Sequence, residues 1–168
     1  MTSSVEPTAL IPLRWGTYRG RYLAGLGLIV SGLIGLQGGS AYFGLPLALG
    51  TLAHVTGWWI MPAAGWRRIW AVGPSLIVMF VLLIGPAGVG LLAVSLACWL
   101  LVRHRPLVTF TLAIPVLAVG IVVREFLYEY SGMLPALAIM AVVIVGCAWL
   151  AQLIALTART RRPPSIPH

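Results

Sequence analysis

Apolar runs separated by short polar or glycine- and proline-bearing breaks divide this chain into six segments. The first runs from about Tyr22 to Gln37 and ends at Gly38, Gly39 and Ser40, which predict an outer turn. The second runs from about Phe43 to Met61 and is closed by Pro62. Because it follows at once, the first segment reads as a retained span and not as a cleaved signal peptide. Between Arg68 and Arg103 lie 34 residues, with the break Gly85-Pro86-Ala87-Gly88 near their middle. They predict a third and a fourth segment of roughly 16 residues each, about 24 Å as α-helix and short for a hydrocarbon core. Such lengths fit two upright crossings or a re-entrant hairpin shielded by other helices, and two crossings are the reading adopted. The fifth segment runs from about Leu107 to Val123 and the sixth from about Met133 to Leu156. The expected fold is an all-α bundle of six transmembrane helices over residues 19–158. A loose tail over 1–18 and a basic tail over 159–168 flank it.

Charge orients the bundle. All eleven basic residues other than histidine are arginines. Ten fall in four groups: Arg14, Arg19 and Arg21; Arg67 and Arg68; Arg103 and Arg105; Arg159, Arg161 and Arg162. Two apolar segments separate each group from the next, so all four can face one compartment. Basic residues beside membrane spans stay on the cytoplasmic side, which puts both termini in the cytoplasm of a multi-pass plasma (inner) membrane protein. Most tryptophans fall near the inner ends, and Tyr42, Tyr128 and Tyr130 near the outer ones, as interfacial belts require.

Composition closes several function classes. With 60% hydrophobic and 8% charged residues and a mean hydropathy of +1.01, the chain has more apolar surface than one small core can hide. The net charge of +8 is spread along span edges and not over one polar face, which excludes a nucleic-acid partner. Anionic headgroups of the cytoplasmic leaflet are the expected partner, at about 1 kcal/mol per basic residue. There is no lysine for a Schiff base, and Glu6, Glu125 and Glu129 are the only acids, so no span carries a carboxylate for pumping or transfer chemistry. Cys98 and Cys147 lie inside separate spans and read as free apolar packers. No catalytic residue, cofactor or metal site is expected. A soft-metal set of His54, Met79 and Cys147, all near mid-depth, is the minority reading.

Four features remain as candidates. Gly27, Ser31, Gly35 and Gly39 recur every fourth residue of the first span and predict a close helix contact within the bundle. A membrane protein partner or a second copy is the other possible occupant of that stripe. Pro115 predicts a kink in the fifth span, with Thr109 or Thr111 satisfying the freed carbonyl. His54 is the only histidine inside a span; it predicts either a functional site or a structural bond to a hydroxyl such as Ser95 or Thr111. Arg124, Glu125, Tyr128 and Glu129 form the one charged outer segment. Glu125 and Glu129 stand four apart and can share a helical face. A ligand held beneath them, with His54 as the floor, is set against a solvated interfacial turn.

Two glycine–serine tetrapeptides, Gly38-Gly39-Ser40-Ala41 and Gly73-Pro74-Ser75-Leu76, are loosely similar to the serine motif of rhomboid-type intramembrane proteases. That family pairs its serine with a histidine on the last core helix, where this chain has none, so the resemblance is set aside. The size and six-helix threading resemble the S components of energy-coupling-factor vitamin transporters, which implies a substrate-binding membrane subunit of an uptake system. The sequence therefore carries two expectations. One is a non-enzymatic accessory or scaffold subunit of a membrane complex. The other is that transport subunit.

Overall fold

The computed structural model describes residues 16–38, 44–63 and 65–160, and every regular element among them is helical. Six α-helices follow in order: α1 (Tyr18–Gln37), α2 (Gly44–Ile60), α3 (Gly65–Val81), α4 (Leu92–Val102), α5 (Ala113–Phe126) and α6 (Met133–Thr160). The stretches Tyr18–Gln37, Trp66–Ile84, Leu107–Phe126 and Met133–Thr157 are each long and apolar enough to cross a membrane. Pro86–Val102 is a shorter apolar helix. Most of both expected tails and the expected outer turn at Gly39–Ser40 lie outside the described residues.

The third and fourth segments gain length from 3₁₀ geometry. Leu82–Ile84 continues α3 and Pro86–Leu91 leads into α4, both as 3₁₀ turns that meet at Gly85. Gly85 takes φ 116°, which a side chain would oppose, so the glycine is required at this reversal. At a rise of about 2.0 Å per 3₁₀ residue the two arms reach about 31 Å and about 28 Å, close to a hydrocarbon thickness of about 30 Å.

Just before Pro115, where a kink is expected, the helix changes type: Leu107–Leu112 is 3₁₀ and the α-helix begins at Ala113, which places Pro115 in the first turn of α5. The Thr109 and Thr111 hydroxyls donate to the carbonyls of Pro106 (2.7 Å) and Val108 (2.8 Å), within the 3₁₀ stretch.

Helices α1 and α2 approach closely along their length, and glycines make it possible. A Cβ on Gly25 would lie 2.8 Å from the Gly57 carbonyl oxygen, and one on Gly32 would lie 2.7 Å from the Gly50 carbonyl oxygen. Both pairs are spaced by seven residues, a repeat that drifts by only about 20° around a helix. This corrects the expected four-residue stripe. Gly27 faces open space and Ser31 is exposed, its hydroxyl turned back to Leu28 (3.2 Å). Gly35 is at the seam, where a Cβ would stand 3.4 Å from the Gly50 Cα, and Gly39 lies outside the described residues. The physical reason is rotation: each four-residue step turns about 40°, so the stripe leaves any straight contact within two steps.

The larger core joins α3, α4, α5 and α6 through Leu82, Val89, Leu100, Val116, Met140 and Ala151, with Cys147 buried among them. A smaller core at the arginine-bearing end holds Trp58, Met61, Ala71, Cys98 and Val102. At that end the arginines bind backbone. Arg21 Nε donates to the Ile60 carbonyl (3.1 Å), Arg67 to Leu101 (2.9 Å), and Arg68 to Trp59 (3.0 Å) and Ala63. The Arg103 guanidinium donates to the Tyr18 hydroxyl and lies over the rings of Tyr22 (4.6 Å) and Trp99 (5.6 Å). Three of the four arginine groups thus meet where α1 and α3 begin and α2 and α4 end, and they satisfy carbonyls that helix C-termini leave open.

Candidate functional site

A cavity of about 350 Å³ lies inside the bundle, at the small end of ligand sites. Its inner wall is buried and comes from α2, α3 and α4, with His54, Trp58, Met79, Leu82 and Leu96. Its remaining walls come from α1 and α6. There the lining includes Val30 and Val145, which are 48% and 68% exposed. The cavity therefore opens sideways, past apolar residues, between the first and last helices. Tyr22 and Trp99, the rings beneath Arg103, line it towards the arginine-bearing end. No residue of its lining carries a charged side chain.

The polar content of the wall centres on His54, which is 3% exposed. Its backbone is held by α1 at Gly32, and its ring lies between α1 and Ser75 of α3. Nε2 lies 3.1 Å from the Ser75 hydroxyl and receives the Trp58 indole N–H at 3.1 Å. An indole can only donate, so Nε2 presents its lone pair and the ring proton resides on Nδ1. Nδ1 is buried, with the Ile29 backbone of α1 beside it. The Ser95 hydroxyl, on α4, lines the same cavity.

The pair His54–Ser75 has the spacing of a serine–histidine dyad, with the histidine supplied by α2 and the serine by the Gly73–Leu76 segment. Its surroundings do not suit nucleophilic attack. Ser75 is wholly buried and is no part of the cavity lining, and its hydroxyl donates to the Val72 carbonyl (3.1 Å). The Trp58 indole occupies the one Nε2 lone pair that would receive a proton. The pair sets α2 against α3 as a polar contact within the core.

The structure separates the sequence candidates. His54 lines the cavity, with Ser75 as hydroxyl partner in place of the expected Ser95 or Thr111. Arg124, Glu125, Tyr128 and Glu129 are exposed and line neither this cavity nor a shallow groove beside Trp66, Trp70 and Cys98. Arg124 and Glu125 pair loosely at 3.8 Å with 59% and 69% of their side chains exposed, and Ser131 donates to Glu129 (3.3 Å). Their arrangement is that of a solvated turn, and His54 is not the floor beneath it. Among the described residues no three His, Cys, Asp or Glu side chains converge at metal-binding spacing. Trp58, Ser75 and Trp99 were missed as site residues. The i, i+4 spacing of His54 and Trp58 was the one available signal.

No protein-family model matches this chain, and neither a curated protein nor a solved structure matches it.

Proposed function

We propose that this chain is a six-span plasma-membrane protein with cytoplasmic termini, acting without catalysis as an accessory component that holds one apolar molecule drawn from the bilayer. The cavity that opens sideways at Val30 and Val145 carries this reading. An apolar ligand diffusing within the membrane reaches such an opening without crossing water, and an uncharged lining offers nothing to a free ionic solute. Uptake of a polar vitamin-like solute from outside is the weaker reading, because the charged outer segment borders neither cavity described. The arginines at the inner end support the orientation, since capping carbonyls and facing headgroups are compatible tasks for a long guanidinium side chain.

The test is gentle extraction followed by native mass spectrometry. Wild type is expected to retain one small apolar molecule per chain. Ala148→Trp, which pushes an indole into the cavity from α6, is expected to lose it while remaining monodisperse. Equal retention by both proteins sinks the cavity reading and leaves a scaffold without a ligand.

A further inference from the structure

We propose a second site, on the outside of the bundle: the groove between α3 and α4 holds one anionic phospholipid, its acyl chain along the groove and its phosphate against the Arg67 guanidinium. The groove, of about 380 Å³, shares no residue with the cavity, so this inference goes beyond the cavity reading and stands apart from it. Trp66 and Trp70 of α3, Val94 and Leu101 of α4, and Phe110 line it, with no charged side chain among its lining. Such walls suit an acyl chain and leave a soluble ion no hold. What selects an anionic lipid stands at the groove's rim. Arg67 lies over the Trp66 ring at 5.1 Å, and its Nη1 donates to the carbonyl of Leu101 (2.9 Å), so two groove residues fix the guanidinium there. Its Nε is enclosed. Its Nη2 is neither enclosed nor bonded among the described residues and is the atom left to a ligand. Charge at this rim is unbalanced: His104 lies near enough to feel the Arg67 charge, and Arg105 is the next residue along the chain. The described acids, Glu125 and Glu129, lie at the far end of α5. A guanidinium fixed at headgroup level, with no described carboxylate at its end of the bundle, is matched by a lipid phosphate through charge and hydrogen bond together. A free phosphate would leave the groove empty, and a choline headgroup would bring a second cation to the arginine.

The assay uses the full chain in phosphatidylcholine nanodiscs doped with bromine-tailed phosphatidylglycerol or bromine-tailed phosphatidylcholine. It reads quenching of tryptophan fluorescence, which requires bromine beside an indole. In wild type the anionic lipid is expected to half-quench at about a fivefold lower mole fraction than the zwitterionic one, the factor that one basic residue near the surface supplies. Arg67→Met is expected to bring the two within about twofold, while Arg19→Met, at an exposed position on α1, keeps the difference. Equal mole fractions in wild type overturn the proposal, and that result needs no variant to fold. Equal losses in Arg67→Met and Arg19→Met overturn it too, since they mean diffuse attraction to all the arginines. Trp66→Phe with Trp70→Phe, both at exposed positions, decides independently of the arginine variants. The preference is expected to vanish there; if Trp59 and Trp149, which are also exposed, still report it, the lipid lies elsewhere and the groove is not its site. Relief of the quenching by inorganic phosphate at constant ionic strength would show a free-phosphate site and overturn the lipid assignment.

Discussion

Gly32 of α1 lies so close to His54 of α2 that a Cβ on the glycine would stand 2.7 Å from the His54 amide nitrogen and 3.0 Å from its Cα. This close backbone contact is thereby also what holds His54 in place. From that position the ring's Nε2 lies within 3.1 Å of the Ser75 hydroxyl on α3. Packing and site are the same few atoms.

Gly32→Ala tests the link. The added methyl meets backbone on three sides and cannot be relieved by a side-chain rotation, so α1 and α2 must part. The expected loss of stability is about 1–3 kcal/mol, read as a lowered Tm in detergent. Retention of a bound apolar molecule should fall with it, because α1 and α2 both wall the cavity. A parent-like Tm would show that the two helices are further apart than described.

Gly27→Leu should behave differently. Nothing lies within 4 Å of a Cβ at Gly27, and the residue is exposed, so the larger side chain should leave the stability of the monomer within about 0.5 kcal/mol of the parent. Gly25→Leu, placed against the Gly57 carbonyl oxygen at 2.8 Å, should be severely destabilising. If Gly27→Leu instead lowers the mass of the extracted species, the exposed face of α1 binds a second copy or another membrane protein.

Legibility in the sequence divides along physical lines. Segment borders were readable because most coincide with arginines or with glycine, serine or proline breaks, and most described helices begin and end within a few residues of them. The glycine register was not. Helix α1 contains Gly20, Gly25, Gly27, Gly32 and Gly35, so both a four-residue and a seven-residue line can be drawn through it, and only the partner glycines Gly50 and Gly57 choose between them. The partner of His54 was likewise hidden, since Ser75, Ser95 and Thr111 are equivalent until helices are placed beside one another. Scarcity of charge made Arg124, Glu125 and Glu129 stand out in a chain with three acids, and an exposed turn is where isolated charges are cheapest to keep. The roles of the arginines as helix caps were also invisible, because carbonyls freed at helix ends leave no mark in the sequence.

Arg68→Met tests those caps. The guanidinium serves the carbonyls of Trp59 and Ala63 where the chain passes from α2 to α3, and methionine keeps the apolar stem while removing every donor. The expected cost is about 1.5–3 kcal/mol, in line with hydrogen bonds to charged groups. Arg19→Met, at an exposed position on the first turn of α1, should change the Tm little. Similar small effects from both would assign all these arginines to the headgroups alone.

His104 ends α4 in an unusual way. Its amide and that of Arg105 bond back to Leu101 (3.2 Å) and Leu100 (3.1 Å), the pair that closes a helix at a left-handed residue, and His104 takes φ 53° where glycine is the common choice. His104→Gly should therefore stabilise by about 1 kcal/mol. Burial first, and the nearby Arg67 charge second, hold the imidazole pKa below its ordinary value. The unfolded chain then binds the proton more readily, so stability should fall as pH drops below the usual histidine range near 6.5. His104→Gln should flatten that part of the pH–Tm profile. An unchanged slope would exclude His104 as its source.

The hinge at Gly85 decides whether the third and fourth segments cross the membrane or turn back inside it. With their 3₁₀ extensions the two arms are about 31 Å and about 28 Å long, enough to carry Ala87 to the far headgroups if they stand upright. Ala87 is exposed beside that turn and can be replaced by cysteine without filling a core. In a background of Cys98→Ala and Cys147→Ala, intact cells should label Ala87→Cys with an impermeant thiol reagent, as they should Ser131→Cys in the α5–α6 connection. Arg19→Cys, at the arginine-bearing end, should react only after the membrane is opened. Labelling at Ser131→Cys with silence at Ala87→Cys would mean a hairpin that stops inside the bilayer. Labelling of Arg19→Cys in intact cells, with Ser131→Cys protected, would invert the bundle and place the arginine caps outside.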